Sequence, residues 1–349
     1  MLATSMCRRT GHVWKARTLV ACRYSWWPSC SARSLGTLAT VAAVLVGVPV
    51  GALAIKVALA VLRQDSYIYP RHSLMLEPER RRTDVDEPVL HGGFEPSAVS
   101  RVRLEAADGV ELSAFFFEAT ATATAGGGLP VLLYLQGNYG NPGHRLALFK
   151  RLQRDVPAHV FALSYRGFGD SDGSPSEVGL NADADAALAL LRGEGGVLLE
   201  AEGDALRRVL AKNPKPRVVA FGSSLGGAVA ISLAARKQLD GLIVENSFTS
   251  IGEVIDHMFP KWTVYGHLKP FLRSGWHSDG AVGRVPTNLP TLFVSGTADS
   301  DLPPRMMHTL LERCGSRRKA LFEVQGGTHN DTWKRPGYCE RIGEFLELR

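Results

Sequence analysis

Three residues far apart in the chain could together carry out acyl transfer: Ser224, Asp299 and His329. Ser224 is the centre of Gly222-Ser223-Ser224-Leu225-Gly226, a G-x-S-x-G run. An apolar run, residues 217–221, precedes it, and a small-residue run, residues 227–235, follows. Strand, tight turn and helix is the context in which a serine hydroxyl stands out at the edge of a sheet as a nucleophile. Glycines at 222 and 226 let strand and helix approach without a Cβ clash. The backbone N–H of Leu225, at the positive end of the following helix, is then placed to meet a developing oxyanion. A small-residue turn with no chemistry would share this local pattern, so the reading depends on partners elsewhere.

A serine nucleophile needs a base, and the base needs an acid to orient it. In one known chain order the acid follows the serine and the histidine comes last. Asp299 ends the stretch Leu292-Phe293-Val294-Ser295-Gly296-Thr297-Ala298-Asp299, just past an apolar strand, with Asp301 as its rival. His329 lies in Gly326-Gly327-Thr328-His329-Asn330 after the last apolar strand, whereas His144, His257 and His267 precede Asp299 and break the order. A second oxyanion donor is expected from Gln136-Gly137-Asn138-Tyr139-Gly140-Asn141, with the Asn138 N–H preferred and Tyr139 the alternative. This glycine-rich loop lacks the G-K-[ST] of a phosphate cradle. The chemistry calls for no metal or organic cofactor.

The elements that must hold these residues alternate. Short apolar runs at 131–135, 159–165, 217–221, 242–244, 291–294 and 321–324 read as strands, with helical stretches near 145–154 and 177–191 and after 224. Upstream, 102–105 and 110–117 flank Asp108-Gly109, a hairpin signal. Buried strands alternating with helices predict an α/β fold with a mostly parallel central sheet flanked by helices, and functional loops at the strands' carboxyl ends. Residues 120–128 read as a low-complexity loop and residues 193–216 as a surface insertion. Residues 248–289 fall where a cap belongs and are short, which predicts an accessible, shallow site. Their aromatics, Phe259, Trp262, Phe271 and Trp276, read equally as a satellite core or as substrate contacts.

The 349 residues, 45% hydrophobic and 21% charged, suit one large globular domain, here 99–349. The net charge of +6 comes from residues 1–34, which carry six basic groups and no acidic ones. Residues 35–349 are formally balanced, which argues against nucleic acid as a partner. Residues 35–55 form a charge-free, mostly apolar run of 21, and apolar character resumes after Lys56 to residue 62. That length suits a transmembrane helix over 35–62, with 63–98 as a linker and lead-in. The basic tail puts the N-terminus in the cytoplasm as a single-pass, type II anchor, with an endomembrane the expected location. A cleaved signal peptide, a mitochondrial presequence and a buried helix are the alternatives. The five cysteines show no metal spacing, and Cys314 and Cys339 read as two separate thiols, a bridge being the alternative.

Several runs together resemble one family. Gly137-Asn138-Tyr139-Gly140-Asn141 with Gly143-His144-Arg145, Tyr165-Arg166-Gly167-Phe168-Gly169, and Ser224-Leu225-Gly226-Gly227-Ala228 are similar to segments of the bud-emergence-46-like hydrolases. Glu245-Asn246-Ser247-Phe248, Ser295-Gly296 with Asp299, and Gly327-Thr328-His329-Asn330-Asp331-Thr332-Trp333 match as well. The resemblance covers roughly residues 50–347. It implies an α/β-hydrolase fold behind an N-terminal membrane anchor, and a catalytic triad of Ser224, Asp299 and His329. The chain departs from the family pattern at Gln136, where a histidine is usual, and in the longer 193–216 stretch. The expected function is a membrane-anchored serine hydrolase of ester or thioester bonds, with an acylated protein or lipid-like ester as partner and palmitoyl-protein thioesters as one substrate class. A serine peptidase of the prolyl-oligopeptidase clan and a vestigial membrane scaffold are the alternatives. Oligomeric state is not readable.

Overall fold

The computed structural model describes residues 52, 55–59, 61–70, 88–120, 128–260 and 262–347. The chain divides into two units, Met1–Ile55 and Lys56–Arg349, and almost every described residue belongs to the second. Among the described residues no helix is long and apolar enough to cross a membrane. The run 35–54, the basic tail and Arg80-Arg81-Arg82 lie outside the described residues, apart from Ala52.

Among the described residues nine strands form one sheet, in the order β5-β1-β2-β4-β3-β6-β7-β8-β9. They are β1 Val99–Glu105, β2 Glu111–Phe117, β3 Val131–Leu135, β4 His159–Leu163, β5 Val197–Glu202, β6 Val218–Ser223, β7 Gly241–Glu245, β8 Thr291–Gly296 and β9 Lys319–Val324. From β4 to β9 every neighbouring pair is parallel, while β5, β1 and β2 add an antiparallel flank. The Asp108-Gly109 hairpin forms as expected, with Gly109 in the left-handed region at φ 79°. The parallel strands β3, β4 and β7 are buried along their whole length, which is why they read as unbroken apolar runs.

Along the buried strands alternate side chains enter two cores. Leu133 and Phe161 face one, packed under α2 (Glu177–Arg192), α3 (Ala205–Lys212), α4 (Leu225–Arg236) and α6 (Pro304–Arg313). Tyr134 and Val160 face the other, under α1 (Leu146–Asp155) and α7 (Tyr338–Glu347). Cys314 and Cys339 are both free, one in each core, so the bridge alternative falls away.

Two expectations need correction. The 193–216 stretch is not a mere surface insertion, because Val197–Glu202 pairs with β1 as the outermost strand of the sheet. Only Ala201 of this strand is buried, so the edge lacks the alternation that marks a half-buried strand. The cap aromatics also divide differently. Trp276 is buried in the main core, donating its indole N–H to Tyr69 Oη at 2.8 Å, while Trp262 and Phe271 stand in solvent. The cap is built from α5 (Ile251–Met258) and short helical turns at Val264–Leu268, Lys269–Phe271 and Ser278–Ala281.

Candidate active site

Ser224 caps α4 directly after β6 and takes φ 56°, ψ −120°, a left-handed conformation rare outside glycine. Such a residue costs about 1–3 kcal/mol and persists only where the surroundings enforce it. They do so here. The Ser224 N–H donates to the Glu245 carbonyl at 2.9 Å, and the Ser224 carbonyl accepts from Ser247 Oγ at 2.8 Å and from Gly227 N–H at 2.9 Å. The two motif glycines are sterically required. A Cβ on Gly222 would stand 2.0 Å from the Gly226 carbonyl oxygen, and one on Gly226 would stand 1.8 Å from that of Leu135.

His329 joins the serine to the acid. Its Nε2 lies 3.1 Å from Ser224 Oγ and its Nδ1 lies 2.8 Å from Asp299 Oδ2. A carboxylate can only accept, so Nδ1 carries the proton and Nε2 is left to receive one from the serine. The Asp299 side chain is buried, and its other oxygen accepts the N–H groups of Asp301 and Leu302, each at 2.9 Å. Asp301, the rival, therefore serves Asp299 through its backbone. Burial pulls the imidazole of His329 down, but the hydrogen bond and charge of Asp299 outweigh it. With the further negative charges of Asp301 and Glu245, the net direction is up.

The loop after β3 passes over the serine: a Cβ on Gly137 would stand 3.3 Å from that of Ser224. Leu225 opens α4, and Asn138 lies in this loop with its Nδ2 donating to the Ile68 carbonyl at 3.1 Å. Among the described residues, no group of three or more His, Cys, Asp or Glu side chains is placed to hold a metal.

Residues 126–337 match the model of the alpha/beta hydrolase family. Protein bem46 of Schizosaccharomyces pombe is 36% identical over 253 residues, which cover 70% of this chain and 76% of that protein. The chain belongs to the bem46-like α/β-hydrolase family. A second relative, an uncharacterized membrane protein of Saccharomyces cerevisiae, is 33% identical over 298 residues, covering 84% of this chain and 92% of its own. Among solved structures, the Pyrococcus furiosus esterase Pf2001 superposes with a TM-score of 0.53 at 18% identity, covering 75% of this chain and 95% of that one, a likeness of fold.

In this bem46-like hydrolase the departure at Gln136 is accommodated. Gln136 is fully buried, and its Nε2 donates to the Gly140 carbonyl at 3.1 Å, closing the loop. Arg145 holds the same loop from outside, donating to the Tyr139 carbonyl at 2.7 Å and that of Asn141 at 3.2 Å.

At the end of β7 sequence reasoning found Glu245-Asn246-Ser247-Phe248 as a matching run but gave its residues no role. Asn246, at φ 41°, donates from Nδ2 to the His329 carbonyl at 3.1 Å and accepts the Gly296 N–H on Oδ1 at 2.8 Å. It ties the loop carrying the acid to the loop carrying the histidine. Beside it Glu245 is buried and accepts from Thr332 Oγ1 and, at 2.6 Å, from Tyr338 Oη. Burial pushes the Glu245 carboxyl up, against those two hydrogen bonds. The signal that could have found them is a run of polar side chains, Glu245-Asn246-Ser247, directly after a fully apolar strand.

Proposed function

We propose that this bem46-like hydrolase is a membrane-anchored serine hydrolase that cleaves ester or thioester bonds through an acyl-enzyme. The observation that carries the reading is the single imidazole within hydrogen-bond reach of both Ser224 Oγ and a buried carboxylate. In the proposed reaction Ser224 Oγ attacks the acyl carbonyl while His329 Nε2 takes its proton. Asp299 holds the ring in the Nδ1–H tautomer and stabilises the imidazolium. The N–H groups of Leu225 and Asn138 receive the oxyanion, each such donor contributing about 2.7–4 kcal/mol to lowering the barrier. Collapse expels the alcohol or thiol, which leaves with the proton from His329. Water then attacks the acyl-enzyme, again through His329, and releases the acid with Ser224 restored.

The apolar run 35–62 is the proposed anchor. Its length, the basic tail before it and the description of the yeast relative as a membrane protein support it. A tethered hydrolase of this kind suits lipidated or lipid-like acyl substrates, S-palmitoylated protein tails among them.

Labelling the full chain with a fluorophosphonate probe, then assaying a palmitoyl-cysteine probe beside short-chain nitrophenyl esters, tests this reading. Expected are labelling abolished by Ser224→Ala and turnover of the palmitoyl thioester. Turnover of short esters alone would remove the depalmitoylase assignment, cleavage of amide substrates alone would make the protein a peptidase, and an unlabelled folded wild type would make it a scaffold.

A further inference from the structure

Six large apolar side chains stand out into solvent on the lead-in and the cap. Leu62 and Tyr67 lie on the lead-in, and Met258, Trp262, Tyr265 and Phe271 lie on the cap, each between 42% and 85% exposed. They belong to one fastened set of elements. Gln64 Nε2 donates to the Phe271 carbonyl at 3.1 Å, Arg273 N–H donates to Gln64 Oε1 at 2.6 Å, and the Arg273 guanidinium reaches the Leu62 carbonyl at 3.2 Å. The rings of Phe259 and Tyr265 lie 4.4 Å apart.

This collar is fixed to both sides of the serine. On the oxyanion side, the Ile68 carbonyl, next to Tyr67, accepts from Asn138, which follows the Gly137 that covers Ser224. On the acid side, His257 Nε2 lies 3.0 Å from the Ser300 carbonyl, and these residues directly precede Met258 and follow Asp299 respectively. Large apolar groups exposed on one fastened set of elements mark an interaction surface, whereas single exposed ones need no explanation. The chain names the occupant. Leu62 lies seven residues beyond Ile55, where the 21-residue charge-free run of bilayer-spanning length ends. Tryptophan and tyrosine are the side chains that settle at headgroup depth, and Lys56 and Arg63 on the same stretch suit lipid phosphates.

We propose that the collar of Leu62, Tyr67, Met258, Trp262, Tyr265 and Phe271 docks on the lipid headgroup interface and turns the mouth of the Ser224 site toward the bilayer. A lipid-like acyl ester then enters from the membrane rather than from bulk water. The entry route rests on the serine-hydrolase reading; the docking does not.

The test uses the full chain in phosphatidylcholine nanodiscs, one set carrying dibrominated acyl chains that quench nearby tryptophan. The signal of Trp262 is the difference between wild type and Trp262→Phe, and it is expected to be quenched. A second variant, Trp262→Asp with Phe271→Asp, is expected to lose about ten-fold or more in kcat/KM on a disc-embedded palmitoyl thioester, since docking strength scales with buried apolar area. Its turnover of water-soluble nitrophenyl acetate should stay at the wild-type level. An unquenched Trp262 overturns the proposal, including the case where two copies per disc cover the collar against each other. Equal losses on both substrates also overturn it. If wild type turns over neither substrate, the hydrolase reading fails, while the quenching still judges the docking.

Discussion

Asn246 holds the backbone of His329: its Nδ2 donates to the His329 carbonyl at 3.1 Å, while its Oδ1 takes the Gly296 N–H at 2.8 Å. One amide thus sets the spacing between the loop that ends in the acid and the loop that carries the base. Glycine keeps the left-handed φ of this position but makes neither bond, so Asn246→Gly isolates the side chain. Reaction with fluorophosphonate is expected to slow by about 10²-fold, the cost of a displacement near 1 Å at a reacting centre. Inactivation rates followed over time, with circular dichroism confirming the fold, check it. A rate unchanged within two-fold of wild type would remove Asn246 from the positioning of the triad.

The charges around His329 set the acid limb of the rate. In the proposed mechanism the ring must be neutral to accept the serine proton; burial pulls it down, but Asp299 outweighs burial and the net shift is upward. The acid limb of kcat/KM should therefore lie above about 6.5, the ordinary imidazole value. Asp299→Asn removes the main upward influence, so the limb should move to lower pH, with kcat falling about 10⁴-fold as the ring loses its tautomer. A pH–rate profile of each protein on a nitrophenyl ester measures both effects.

Two helix glycines should behave oppositely on gaining one methyl group. A Cβ on Gly226 would meet the Leu135 carbonyl oxygen at 1.8 Å, a backbone atom with nowhere to move. Gly226→Ala should cost about 3 kcal/mol or more, or prevent folding. On Gly252, within α5, the nearest atom would be the Lys269 side chain at 3.5 Å. Gly252→Ala should raise stability by up to about 1 kcal/mol through helix propensity. Urea midpoints compare the two.

His159 should make the fold acid-sensitive. It is buried on β4, accepts the Ala119 N–H on Nδ1 at 3.1 Å, and desolvation pulls its imidazole down to about 4. The unfolded chain, with an imidazole near 6.5, binds the proton more readily, so this stability is complete above about 6.5 and is lost as pH falls toward 4. The full swing is about 3 kcal/mol. His159→Gln should flatten stability between these pH values, as read from denaturation midpoints across the range.

Much of this could be read from residue order alone, for identifiable physical reasons. Strands β3, β4 and β7 are sealed on both faces, so burial wrote them as unbroken apolar runs. Ser224 announces itself because its turn tolerates only glycine at 222 and 226. The edge strand Val197–Glu202 left no such mark, because it buries one side chain. Asn246 was visible as part of a matching run but its task was not, because that task exists only where three loops meet, and Thr332 and His329 lie more than 80 residues away. The bond from Trp276 to Tyr69 spans 207 residues, and it sends one cap aromatic into the core while its neighbours turn outward. No local pattern distinguishes them.

The far-edge position of β5 carries a practical corollary. Four strands stand between it and β6, the strand that leads into Ser224. Gly195, in the turn leading into β5, has open space where a side chain would sit. A reporter domain spliced there should leave esterolysis intact, which offers a handle for tracking the enzyme in living cells without touching either end of the polypeptide.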